Sequence, residues 1–233
     1  MMLETSLASN RYQQSRSRLE TYFDKTARKA WEDLTSDAPV SGIRATVRAG
    51  RDEMRNLLLS NLPVDMKGMR LLDAGCGTGA LAIAAAERGA QVVAIDVSGG
   101  LIDVARRRAP DHLSIEWRVG DMRNHSLGVF DHVVAMDSLI HYDEADILGV
   151  LKAWSQRASE VLFTFAPGTP LLRTMHVIGK AFPKGDRSPA IRPVSEAKLS
   201  REINAALPDW RIEFTQRVSR GFYKSQAMGM NRL

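Results

Sequence analysis

The segment DAGCGTG, residues 73–79, constrains the fold more than any other part of this 233-residue chain. It follows an apolar run at 69–73 that reads as a strand. It precedes an alanine-rich stretch at 80–88 that reads as a helix, with Gly89 at the position just past its end. Glycines at such a turn let the backbone come close to a ligand, and the helix N-terminus offers unpaired N–H groups. The spacing is G-x-G-x-G, not the G-x-G-x-x-G of a dinucleotide loop. Asp73 beside the glycines would repel a pyrophosphate and suits a cationic ligand.

Beyond the loop, short apolar runs keep alternating with helical patterns, which predicts βαβ units and a doubly wound α/β sheet. Further strands are expected at 91–96, 115–119, 132–136 and 161–165. A helix at 98–108 has Ser98 as its cap, three arginines in its last turn and Pro110 as its stop. Another helix falls at 145–157, and the chain end, 210–218 and 221–226, reads as two closing strands. Ligands of open α/β sheets bind at the carboxyl ends of the strands. The ends carrying Asp73, Asp96 and Asp121 therefore define one pocket, in which Asp96 suits the two hydroxyls of a ribose. Two regions stand outside the alternation. Residues 1–55 read as a helical arm on a core of 56–233, and a segment at 167–194 reads as an insertion. Leu171, Met175, Ile178 and Phe182 of that insertion share one helical face.

Charged residues are 25% of the chain and hydrophobic ones 44%, which suits a folded core. No run approaches the roughly 18 uncharged apolar residues of a membrane span, and the first residues lack the apolar stretch of a secretion signal. The single cysteine, Cys76, excludes a disulfide framework and a multi-cysteine zinc site. A cytoplasmic globular protein is expected. The net charge of +5 is uneven, with both flanks positive and the middle negative. Such flanks can meet nucleic acid, an acidic membrane or a small polyanion, or simply face solvent.

The glycine loop with Asp96 and Asp121 resembles the cofactor motifs of class I S-adenosylmethionine-dependent methyltransferases, whose fold is a Rossmann-like, seven-stranded sheet. The resemblance implies that Asp73, Gly75, Cys76, Gly77 and Gly79 hold the methionyl part. It also places Asp96 and Val97 at the ribose, Asp121 and Met122 at the adenine, and Asp137 beside them. The segment DSLIHY at 137–142 is not the Asn/Asp-Pro-Pro-Tyr run of enzymes that methylate exocyclic or amide nitrogens. Cys76 lies inside the loop, so a two-cysteine mechanism on a pyrimidine C5 is excluded. Small-molecule O-, N- or C-methylation remains.

YFDKTA from Tyr22, VRAGRDEMR from Val47, SLIHYD from Ser138, FAPGTPLL from Phe165, MHVIGKAFPKGDRSPAI from Met175 and RGFYKSQ from Arg220 resemble the magnesium-protoporphyrin O-methyltransferases. That family esterifies one propionate of magnesium protoporphyrin IX in bacteriochlorophyll biosynthesis. The resemblance implies S-adenosylmethionine as cosubstrate, magnesium only as part of the substrate, and an N-terminal lid. It further implies association with the large porphyrin-binding subunit of magnesium chelatase and at most peripheral contact with the photosynthetic membrane. No nucleic acid partner is expected. His141 and Tyr22 are the catalytic candidates, and Tyr142, His176, Arg48, Arg187 and Arg220 the substrate-binding ones, with Arg44, Arg51 and Lys184 beside them. A propionate is an anion at neutral pH, its pKa being near 4.3. Alignment and exclusion of water therefore matter more than a strong base. The competing readings are a methyltransferase for another anionic small molecule, a nucleic-acid-binding module on the same fold, and a non-catalytic porphyrin carrier.

Overall fold

Successive residues of the central strands point to opposite faces, and both faces are apolar. Leu72, Val93, Ile95 and Val133 join one buried cluster, and Leu71, Val92, Ala94 and Val134 the other. Strands covered on both sides suit a parallel sheet linked by crossover helices. The computed structural model describes residues 2–36, 39, 42–168 and 190–233. Among them β1 (Arg70–Ala74), β2 (Gln91–Asp96), β3 (Ile115–Val119), β4 (Phe130–Ala135), β5 (Ala158–Phe165), β6 (Trp210–Arg220) and β7 (Tyr223–Arg232) form one sheet. Its order is β3-β2-β1-β4-β5-β7-β6. The first five strands run parallel, and β7 is antiparallel to both β5 and β6.

Seven α-helices accompany the sheet among the described residues: α1 (Met2–Thr21), α2 (Arg28–Leu34), α3 (Gly42–Ser60), α4 (Ala80–Glu87), α5 (Gly99–Arg108), α6 (Glu144–Ser155) and α7 (Glu196–Ala206). α3 and α4 bury their apolar residues against one face of the sheet, and α1, α6 and α7 against the other. The expected caps form. Ser98 Oγ accepts from the Leu101 N–H at 3.1 Å, and Gly89 takes the left-handed φ of 94° just past α4. Asp143 caps α6 by accepting from the Asp146 N–H at 3.0 Å, which starts that helix at Glu144.

The largest differences from the expected strand boundaries are at β5, which begins at Ala158, and β7, which runs on to Arg232. Residue 55 lies within α3, whose Met54, Leu58 and Leu59 are core residues. A π-helical turn, Tyr22–Thr26, joins α1 to α2. Its Asp24 accepts from Ser98 Oγ at 2.5 Å and the Gly100 N–H at 3.1 Å, tying the arm to the start of α5. The two ends of the 167–194 insertion are held together. Gly168 N–H donates to Val194 O and Val194 N–H to Ala166 O, each at 2.8 Å. The amphipathic helix expected between them, with His176, and the Lys184 and Arg187 that follow it lie outside the described residues. No helix among the described residues is long and apolar enough to cross a membrane.

Candidate active site

The chain reverses its direction of travel across the sheet between β1 and β4, and the carboxyl ends of strands at such a point form a crevice. A cavity of about 460 Å³ opens there. The sheet supplies its floor: Asp73, Gly75, Cys76, Gly77 and Thr78 at and after the end of β1, Asp96 and Val97 at and after the end of β2, and Gly120 and Met122 after β3. Met136, Asp137, Ser138, His141 and Tyr142 follow β4, the last two at and just after the short 3₁₀ turn Leu139–His141. Tyr12, Phe23 and Trp31 close the cavity from the arm, and Arg48, Arg51 and Arg55 line it from α3.

The loop is held by its own backbone and by Asp96. The Gly75 and Cys76 N–H groups donate to Ile95 O at 2.8 and 3.1 Å, and the Gly77 N–H donates to Asp96 Oδ2 at 2.9 Å. Gly75 has φ 80°, and a Cβ there would stand 2.3 Å from Ser138 Cβ, so only glycine fits. Gly79 is not a lining residue. It sits under Trp117, whose ring would meet a Cβ at 2.5 Å, and so sets the packing of α4. Asp73 is almost fully buried, and its Oδ2 has no hydrogen-bond partner among the described residues. Burial pushes its carboxyl up to about 7, with Asp96 adding to the shift. Burial likewise raises Asp96, against the N–H groups of Ser98 and Gly77 that favour its charged form.

Above the β3 end, Tyr12 of α1 stacks on Tyr142 with ring centres 5.1 Å apart, and its hydroxyl donates to Asp121 Oδ1 at 2.9 Å. The Arg123 guanidinium lies over the Tyr12 ring at 3.3 Å. Desolvation raises the phenols of both Tyr12 and Tyr142 far above the ordinary tyrosine value. Below the β4 end, Asp137 has the left-handed φ of 55° and a carboxylate that accepts from four side chains. These are Arg51 at 2.6 Å, Tyr223 at 2.9 Å, Ser225 at 3.3 Å and Thr164 at 3.4 Å. Removing one partner of a buried ion pair such as Arg51–Asp137 costs about 3–5 kcal/mol.

Two family models match the chain. One, a general methyltransferase domain, covers residues 71–159, and the other, the magnesium-protoporphyrin IX methyltransferase C-terminus, covers residues 135–232. A curated magnesium-protoporphyrin O-methyltransferase of Rhodobacter capsulatus is 47% identical over 221 residues, 93% of this chain and 96% of that protein. This chain belongs to the magnesium-protoporphyrin O-methyltransferase family. Its relative from Synechocystis is 27% identical over 89% of this chain. The crystal structure of magnesium protoporphyrin IX methyltransferase from Synechocystis PCC 6803 with bound SAH matches with a TM-score of 0.79, over 93% of this chain and 99% of that one. At 24% identity that match speaks to the fold.

In this magnesium-protoporphyrin O-methyltransferase family member, the cavity gathers Asp73, Gly75, Cys76, Gly77, Asp96, Val97, Met122, Asp137, Arg48, His141 and Tyr142 of the expected site residues. Others sit elsewhere. Asp121 is not a lining residue, and its carboxylate holds Tyr12 and the Arg123 N–H. Tyr22 lies in a separate shallow depression with Ser17, Arg18 and Thr21, its ring edge-on to Phe23. The Arg48 guanidinium donates to the Leu34 and Asp33 carbonyls at the end of α2, at 2.9 and 2.7 Å. Arg220 is exposed and paired with Glu53 on the outside of α3. Asp137 reaches the cavity, but its carboxylate is occupied by the four side chains named above. The residues missed from sequence are Tyr12, Phe23, Trp31 and Tyr223. The motifs YFDKTA and RGFYKSQ contained two of them, Phe23 and Tyr223.

The cavity fits S-adenosylmethionine. The unpartnered Asp73 oxygen is an acceptor for a cationic group. The Cβ-free surface at Gly75 gives the close backbone approach that a ligand at this loop requires.

Proposed function

We propose that this protein transfers the methyl group of S-adenosylmethionine to a propionate carboxylate of magnesium protoporphyrin IX, giving the monomethyl ester, a step of bacteriochlorophyll formation. The observation that carries this reading is the 47% identity to the Rhodobacter capsulatus enzyme across 96% of its length. S-adenosylmethionine supplies a methyl group on a positively charged sulfonium, and magnesium enters only with the porphyrin.

The protein's residues then have three tasks. Asp73 receives the cationic methionyl end, and Asp96 uses its remaining lone pairs for the ribose. Tyr12, Phe23 and Trp31 cover the crevice and exclude water. His141 and Tyr142, beside the β4 end, orient the propionate. Because the acceptor is already an anion, no side chain has to remove a proton. Alignment of the two reactants is the main contribution, and such alignment accounts for about 7–11 kcal/mol in well-oriented systems. The chelatase subunit and the membrane surface extend the same reading as partners, supported by the family membership and the basic flanks.

Single-turnover transfer from labelled S-adenosylmethionine tests the assignment, with magnesium protoporphyrin and metal-free protoporphyrin run in parallel. Ester is expected chiefly from the magnesium form. Cofactor binding without transfer to either porphyrin would remove the acceptor from the proposal.

A further inference from the structure

Two segments far apart in sequence, VRAGRDEMR on α3 and RGFYKSQ at the β6–β7 turn, meet face to face. Gly50 lies against Tyr223, where a Cβ would stand 2.5 Å from the ring, and Gly221 lies against Thr46, where a Cβ would stand 2.8 Å from Oγ1. Glu53 and Arg220 close the outer side of this contact. The close approach at Gly50 brings its neighbour Arg51 over the end of β4. There Asp137 takes one guanidinium nitrogen at 2.6 Å, while the Trp31 ring supports the guanidinium at 4.7 Å.

The arginines of this cavity wall differ in what they have left to offer. Arg48 is bound to two α2 carbonyls, and Arg55 pairs with Asp52 at 2.9 Å along its own helix. Arg51 is bound through Nη1, and its other N–H groups have no protein partner among the described residues. Asp137, in contrast, is filled from behind by Tyr223, Ser225 and Thr164. Its left-handed backbone is an outlier of the kind found where a side chain must be aimed. A guanidinium gripped on one side and open on the other is preset for a carboxylate, because little side-chain freedom remains to be lost on binding.

We propose that Tyr223 and Asp137 are positioning residues that present the Arg51 guanidinium to the cavity as a carboxylate-binding group. The proposal rests on the methyltransferase reading above. In that reaction carboxylates come from two sources, the methionyl end of the cosubstrate and the propionates of the acceptor.

The full-length protein is titrated with S-adenosylhomocysteine, with magnesium protoporphyrin, and with its dimethyl ester, which has no free carboxylate. Arg51→Gln is expected to weaken one carboxylate ligand by about tenfold to a hundredfold, the range for losing a charge-assisted hydrogen bond. Binding of the dimethyl ester stays unchanged. Tyr223→Phe weakens the same ligand by about three- to tenfold, raises its KM, and leaves kcat at saturation near wild type. Arg51→Lys restores part of the binding. If Arg51→Gln fails to fold with Asp137 unpaired, the double variant Arg51→Gln/Asp137→Asn removes both charges and keeps the test.

A loss confined to S-adenosylhomocysteine assigns the methionyl carboxylate, and a loss confined to the diacid porphyrin assigns a propionate. Wild-type affinity for both ligands in the Arg51 variants overturns the proposal. So does a Tyr223→Phe protein that loses thermal stability with no ligand-specific change. Should the wild-type protein bind S-adenosylhomocysteine yet methylate no magnesium protoporphyrin, the functional reading alone falls. The S-adenosylhomocysteine titration then decides on Arg51.

Discussion

Asp73 combines near-complete burial, an oxygen without a partner, and a carboxyl raised to about 7 from an ordinary 3.8. Between those two values the folded state holds a proton that the unfolded chain has released. The contribution of Asp73 therefore lowers stability as pH rises from about 4 to about 7. Bound cation favours the ionised form, so S-adenosylmethionine should bind more tightly as pH rises through about 7. Asp73→Asn is neutral throughout. Its urea midpoint should gain on wild type between pH 5 and pH 8, while its affinity for S-adenosylmethionine loses the rise with pH. Parallel pH profiles for the two proteins would refute this account. The acid itself was readable from the sequence because it belongs to a local motif of glycines between a strand and a helix. Its protonation was not, because burial depends on how distant segments pack around it. Tyr12 and Tyr223 were unreadable for a related reason. Their partners Asp121 and Asp137 lie 109 and 86 residues away along the chain, and no short-range periodicity encodes such pairs.

The arm shows what propensity can and cannot deliver for an element. Helical character was evident in RYQQSRSRLETYFDKTARKAWEDL, yet the side on which it would dock was not. Tyr12 and Leu19 are buried seven residues apart on one face of α1, while the residues between them are mostly polar. Polar contacts add to this apolar and aromatic docking. Asp24 of the π-helical turn holds Ser98 Oγ and the Gly100 N–H, and Arg108 donates to Glu32 O at 2.9 Å and Thr35 O at 3.1 Å. The arm is thus fastened to both ends of α5, the helix that follows Asp96. Asp24→Ala removes two hydrogen bonds, one of them to a helix N-terminus, and should loosen the arm by about 1–3 kcal/mol. Limited proteolysis should then cut within residues 2–36 several-fold faster, and bound S-adenosylmethionine should slow that cleavage. The global urea midpoint should move little, since the core does not depend on this contact. An unchanged cleavage rate would show that α1 is held by its aromatic contacts alone.

At the scale of the molecule, the alternation of strands and helices was enough to foresee the doubly wound sheet and the position of its crevice. The far edge was harder. The sequence pattern ends the last strand at Gln226, whereas β7 continues to Arg232 between β5 and β6. Ala227, Met228 and Met230 are all fully buried, because both faces of this part of the sheet are covered. A strand buried on both sides shows no alternation of apolar and polar residues, so the period-2 signal is missing. Gly229 marks how tightly that edge is assembled. It pairs with Leu162 of β5 and Phe214 of β6, and a Cβ there would stand 2.2 Å from the Phe214 ring and 3.0 Å from Leu162. Gly229→Ala must therefore displace the ring or the strand, an overpacking cost of about 1–3 kcal/mol. For a chain of this size that corresponds to a fall in Tm of about 2–4 °C per kcal/mol. The cavity lies at the carboxyl ends of β1 to β4, away from Gly229, so affinity for S-adenosylmethionine at 25 °C should stay within about twofold of wild type. Scanning calorimetry with a ligand titration checks both halves. A wild-type Tm would mean that Phe214 swings aside freely and that the β6–β7 edge is looser than its burial implies. A large loss of affinity would couple that edge to the crevice through Tyr223 and Asp137.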